Sequence, residues 1–251
     1  MTTLTRHDNN LYLTDLSLPD FDVRGAVVLG ENHALVWDTL TCPDDMAAVS
    51  EVCRDRKITV VYSHADWDHV WGTDALTYQD VVAHKKCAAR FADPEDVAAT
   101  LTAYQAKDES YAAVVLVPPT RTFEDELVLE LGDLAIELHA LPGHTADCIV
   151  AFLPHAGILL AGDTVETPLP VVPENPALDV WIAKLKTWHQ DARVKTVIPS
   201  HGNVGGRELI GQTLAYLEAL RGGNAFDLPK TLDAFYNQTH AANQKHVATR
   251  S

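Results

Sequence analysis

Seven consecutive residues, Ser63-His64-Ala65-Asp66-Trp67-Asp68-His69, place two imidazoles and two carboxylates within six positions. Groups so close would repel or desolvate one another without a cation between them, so the pattern points to metal binding. The competing reading is a solvated acidic loop that contains two histidines. Just before the cluster runs Ile58-Thr59-Val60-Val61-Tyr62. Its β-branched and aromatic side chains predict a buried strand of about five residues. A strand ending in a ligand cluster would hold those side chains at the rim of a sheet.

Three later stretches repeat the arrangement. Leu138-His139-Ala140-Leu141-Pro142-Gly143-His144-Thr145 brings a histidine out of a Pro-Gly turn after an apolar run. Ile158-Leu159-Leu160-Ala161-Gly162-Asp163-Thr164 delivers an aspartate after a glycine, and Val197-Ile198-Pro199-Ser200-His201-Gly202 delivers a histidine beside one. Four strand-like segments thus each supply His or Asp at the carboxyl end, where small residues let the backbone turn closely. A converging site explains all four together.

With these motifs in this order, the chain resembles the metallo-β-lactamase-fold superfamily of metallohydrolases. The resemblance implies an α/β (α+β) fold, a four-layer αββα sandwich, with residues 1–251 as one domain. It also implies two divalent metal ions. His64, Asp66 and His144 would hold the first, Asp68, His69 and His201 the second, and Asp163 would bridge them. Asp68 and His201 are expected to take part in catalysis. Asp38, after Leu35-Val36-Trp37, matches an aspartate that the family keeps near the metals, although a strand-end turn acid reads equally well. One departure stands out: the family's first motif is His-x-His-x-Asp-His, and Asp66 occupies the second histidine's place. A carboxylate there resembles the di-iron flavodiiron branch, which carries a glutamate.

The composition narrows the functions. Thirty-five acidic residues against nineteen basic ones give a net charge of −16, which argues against nucleic-acid or anionic-membrane partners. A small-molecule substrate is the expectation that remains. The four cysteines, Cys42, Cys53, Cys87 and Cys148, form no Cys-x-x-Cys pair and read as free thiols. Cys148 follows the His144 loop closely but reads as a small buried hydrophobe rather than a ligand. The N-terminal residues have no apolar signal-peptide core, and no segment approaches ~20 apolar residues, so a cytoplasmic enzyme is expected.

The elements that must position these residues alternate. Strands are expected at 10–14, 26–30 and 34–38, with the last two flanking a turn at 31–33 in which His33 is exposed. A helix with an acidic first turn is expected over Pro43 to Lys57. Val81 to His84 forms a strand, and His84 reads as structural. Residues 86–117 carry two helical patterns, in which Tyr104 and Tyr111 read as core rather than pocket residues. A hairpin around Gly132-Asp133 and strands at 148–153 and 158–162 follow. Pro168 to Pro176 holds four prolines in nine residues and reads as an irregular loop. Helices are expected at 177–185, 207–221 and 232–247, with His155 in a turn and with His240 and His246 on the surface, although the last helix could fold over the site. Alternating strands and helices argue for an α/β layer arrangement.

Two chemistries follow. Two dications can polarise a carbonyl and lower the pKa of a bridging water from ~16 towards neutrality. Hydrolysis of a small ester, thioester or lactone by a metal-bridging hydroxide is the favoured expectation, and no Gly-x-Ser-x-Gly nucleophile competes with it. The alternative is a di-iron redox or oxygen-binding protein. Zinc is the expected metal, and the hard carboxylate of Asp66 admits iron or manganese.

Overall fold

The computed structural model describes residues 2–248. The chain forms two compact units, the first ending at Leu138 and the second beginning at His139. A seven-stranded sheet follows chain order: β1 (Thr3–Arg6), β2 (Leu11–Ser17), β3 (Asp22–Leu29), β4 (His33–Trp37), β5 (Lys57–Val61), β6 (Tyr78–His84) and β7 (Arg121–Phe123). The first four strands pair antiparallel. From β4 onwards the pairing is parallel, with Trp37 opposite Val61 and Val61 opposite Val82. This explains why β5 reads as a continuous apolar run: a parallel strand is covered on both faces. Helix α1 (Ala47–Val52) carries the chain across from β4 to β5, and α2 (Trp67–Val70), α3 (Lys85–Ala92) and α4 (Val97–Gln105) follow in the same unit. Behind the sheet a core of Val27, Val36, Val60, Tyr62, Trp71 and Val81 excludes water.

A five-stranded sheet has the order β12-β11-β10-β9-β8, from β8 (Glu126–Glu130), β9 (Ala135–Ala140), β10 (Ile149–Leu153), β11 (Ile158–Gly162) and β12 (Thr196–Pro199). Strands β10 and β11 are antiparallel, whereas β11 and β12 are parallel. In the second unit α5 (Leu178–Gln190), α6 (Glu208–Arg221) and α7 (Ala234–Ala248) follow. Trp181, Leu185, Ile210 and Leu217 from α5 and α6 pack with Val150, Phe152 and Leu159 in its core.

Several expectations change. The helix expected from Pro43 is one turn of 3-10 helix, Pro43–Met46, followed by six residues of α1. The Asp45 carboxylate accepts from Thr41 and Cys42, which ties the first turn back onto the preceding loop. His33 opens β4 and is half-buried rather than an exposed turn residue. His240 and His246 are also half-buried: His240 pairs with the Tyr216 hydroxyl at 2.9 Å, and His246 donates to the Val172 carbonyl at 2.7 Å. The four cysteines are free thiols. Among the described residues no helix is long and apolar enough to cross a membrane.

Candidate metal centre

In the first unit the cluster leaves β5 through Tyr62 and enters α2 (Trp67–Val70), a single turn with Asp66 as its N-cap. The loop after β4 clamps that turn. Thr39 N–H donates to the His69 carbonyl at 2.7 Å and Trp71 N–H to that of Leu40 at 3.1 Å. Asp38, at the end of β4, adopts φ +57° and is 1% exposed. The left-handed conformation turns its carboxylate onto the motif: one oxygen accepts Ser63 N–H at 2.7 Å and the other the His69 Nδ1–H at 2.8 Å. Of the two readings of Asp38, the structure selects the one beside the motif.

Those contacts fix what the histidines present. With Nδ1–H donated to Asp38, the neutral His69 ring has its lone pair on Nε2, which lies 3.6 Å from Asp68 Oδ1. The His64 Nδ1 contacts the Ser63 hydroxyl at 2.9 Å, and its Nε2 lies 3.4 Å from Asp66 Oδ2. The two rings stand 4.2 Å apart. His64, Asp68 and His69 are buried, and Asp66 is partly exposed. Its other oxygen, Oδ1, receives Arg90 Nη1 at 2.8 Å.

The second unit builds its share the same way. Gly143 lets the Pro-Gly turn pass Trp181, since a Cβ there would fall 2.4 Å from the indole. His144 then donates Nδ1–H to the Val171 carbonyl at 3.0 Å, leaving Nε2 3.7 Å from Asp163 Oδ2. His201 Nε2 reaches the same oxygen at 3.2 Å. Gly202, at φ +97°, follows against Thr167, where a Cβ would lie 2.1 Å from the hydroxyl.

Glu166 lies close by and was not singled out by the sequence. It is buried, accepts Val171 N–H at 3.2 Å and takes the Tyr236 hydroxyl at 3.1 Å. Burial pushes its carboxyl up to about 7, against the pull of His201. Helix α7 steadies the same loop, because Asn243 accepts Val172 N–H and donates to the Pro170 carbonyl. His84 caps α3 (Lys85–Ala92) by accepting Lys86 N–H. The buried Cys148 thiol contacts the Thr145 hydroxyl at 3.1 Å, and burial raises its pKa well above the ordinary value. Tyr104 and Tyr111 join Trp67 and Trp71 in an aromatic cluster with ring centroids 4.8–6.2 Å apart.

His64, Asp66, Asp68 and His69 in the first unit, and His144, Asp163 and His201 in the second, all belong to His and Asp clusters suited to metal ions. Buried imidazoles with Nδ1 tied down and Nε2 turned towards carboxylates are the donor set of a metal-dependent hydrolase. Residues 22–201 match the Metallo-beta-lactamase superfamily, and the chain belongs to that family. It is 26% identical over 203 residues to the Metallo-beta-lactamase type 2 of Bacillus cereus, covering 76% of this chain and 72% of that protein. The fold is that of these enzymes, the αββα sandwich. A metallo-beta-lactamase from Pontibacter korlensis superposes with a TM-score of 0.66 at 20% identity, covering 87% of this chain and 99% of that one. FIM-1 of Pseudomonas aeruginosa, solved in a mono-zinc form, gives 0.65 at 21% identity, covering 86% and 95%.

Proposed function

We propose that this metallo-β-lactamase-like hydrolase cleaves a small ester, thioester or lactone at a two-metal site. His64, Asp66 and His144 would hold one ion, Asp68, His69 and His201 the other, with Asp163 between. The carrying observation is that His144 and His201 both aim Nε2 at the same Asp163 oxygen, at 3.7 and 3.2 Å. A carboxylate oxygen facing two imidazoles that way suits a bridging ligand. Two bound dications would supply Lewis-acid polarisation of a carbonyl and a water acidic enough to attack it at neutral pH. The chain's own part is to hold its donors rigid through Asp38, Ser63 and Val171. Zinc is supported by the imidazole share of the donors and by the mono-zinc relative. The names of the 26%-identical relatives support β-lactams as a second substrate class. The net charge of −16 supports a small substrate over a nucleic acid, and a cytoplasmic location is part of the same proposal.

Protein purified without added metal, analysed for elements and assayed on thioester, lactone and β-lactam panels, tests this reading. Two zinc per chain and ester-class turnover, both lost in Asp163→Ala, are expected. Two iron with visible absorbance and no hydrolysis would overturn it.

A further inference from the structure

Asp66 sits where the family carries a histidine, and its two oxygens are not equivalent. Oδ2 faces His64 Nε2 at 3.4 Å, whereas Oδ1 is taken by Arg90 Nη1 at 2.8 Å. Arg90 is itself fixed. Its Nε and Nη2 fork onto the Asp96 carboxylate at 2.8 and 3.0 Å, the geometry that holds a guanidinium plane most firmly. Three further contacts set the helix that carries it. His84 caps the first turn of α3, Cys87 is buried, and Phe91 stacks on Tyr62 with centroids 5.8 Å apart. Tyr62 directly precedes the Ser63 to His69 motif, so α3 and the motif rest on a common ring.

From this geometry we infer that Arg90 is a positioning residue for Asp66: it ties down Oδ1 and leaves Oδ2 as the single metal donor. A free carboxylate can bind a metal through one oxygen or both, whereas an imidazole offers one atom. Arg90 makes the aspartate present one atom, as the replaced histidine would. The inference rests on the two-metal reading above. A surface ion pair is the competing account, because exposed pairs contribute little. Here the Arg90, Asp66 and Asp96 side chains are only 24%, 27% and 31% exposed, and three nitrogens of one guanidinium are engaged. A cavity of about 220 Å³ lies against them, lined by Asp66, Trp67, Trp71, Arg90, Asp96 and Thr100. It leaves room for a small guanidinium to enter if the arginine side chain is removed.

The test is zinc binding by the full-length protein, read by chelator competition and by the cobalt(II) absorption spectrum, in the parent, Arg90→Ala and Arg90→Lys. In Arg90→Ala one of the two metal equivalents should weaken about 10- to 100-fold, the usual cost of losing a ligand's hydrogen-bonding partner, with the other within about threefold. Arg90→Lys should fall between, and added guanidinium should restore Arg90→Ala while leaving the parent unchanged. If Arg90→Ala is insoluble, Asp96→Asn removes the fork that holds the guanidinium and should weaken the same equivalent, by less. Parent-like binding of both equivalents would show that Arg90 is only a surface pair. Tighter binding would show that its charge merely repels the metal. Either result overturns the inference and leaves the two-metal reading intact, whereas a parent that takes up no metal removes both.

Discussion

Asp38 offers a sharp test of how the first unit holds its donors. Its two oxygens accept different buried donors, Ser63 N–H at 2.7 Å and His69 Nδ1–H at 2.8 Å. Asparagine has the same shape and tolerates the left-handed backbone at φ +57°, so Asp38→Asn isolates the acceptor chemistry. Its amide has one oxygen and one NH2 group, so one of the two donors must face another donor. Leaving a buried hydrogen bond unmade costs about 1–3 kcal/mol, and chemical denaturation of the chelated protein would read that loss. If His69 is the donor that loses its partner, its ring is free to turn and Nε2 no longer points reliably towards Asp68. Zinc affinity should then drop about 10- to 100-fold, or about 1.4–2.7 kcal/mol, by chelator competition. Asp38→Ala strips both acceptors and also strains the backbone, so it should lose more stability than the asparagine variant. An Asp38→Asn protein that binds zinc within twofold of the parent and unfolds at the same denaturant concentration would refute the claim that Asp38 orients His69.

Two further outcomes concern buried groups in the second unit. Glu166, pushed up to about 7 by burial from 4.5, binds its proton more tightly folded than unfolded. The metal-free protein should therefore keep this group's full contribution below about pH 4.5 and lose up to about 3 kcal/mol as pH rises through 7. Glu166→Gln should lack that loss, so parent and variant compared by denaturation at pH 5 and 8 give the sign directly. Cys148→Ala should leave metal content unchanged and turnover within a few-fold, while costing about 1 kcal/mol from the small void. Abolished metal uptake would make the thiol a ligand.

What the sequence made legible was local. A β-branched run ending in His64, Asp66, Asp68 and His69 declares both a strand and a cluster, because burial on two faces and ligand spacing leave marks on neighbouring positions. The same holds for His144, Asp163 and His201, each delivered by a turn with glycine beside it. His84 was legible as structural, and it caps α3. Arg90 was not legible, since it sits 24 positions after Asp66 on a short helix and only the fold brings the two together. Glu166 lies three residues after Asp163, but an acid in a turn looks solvated until Tyr236, 70 residues on, is seen to close over it. His240 and His246 read as surface residues for a related reason: α7 has a weak apolar stripe, and its polar side chains dock on Tyr216 and Val172 instead.

Asp66 and Arg90 together bear on the choice between the two chemistries. An aspartate in a histidine's place lowers the charge of the donor set by one, which by itself weakens a Lewis acid and favours harder metals. It also introduces freedom, because a carboxylate can change from one donor oxygen to two. That freedom suits a redox site, where the ligand shell adjusts as the metal changes charge. The arginine works against it: with Oδ1 bonded at 2.8 Å to a guanidinium that Asp96 holds by its other edge, the second oxygen is already engaged. A ligand that cannot change its denticity suits chemistry in which the metal charge stays constant and the substrate does the moving. The same contact returns a positive charge beside the carboxylate, partly offset by Asp96. If Asp66 is a metal ligand as proposed, its pairing with Arg90 favours hydrolysis over redox chemistry, through the arginine rather than through the carboxylate itself.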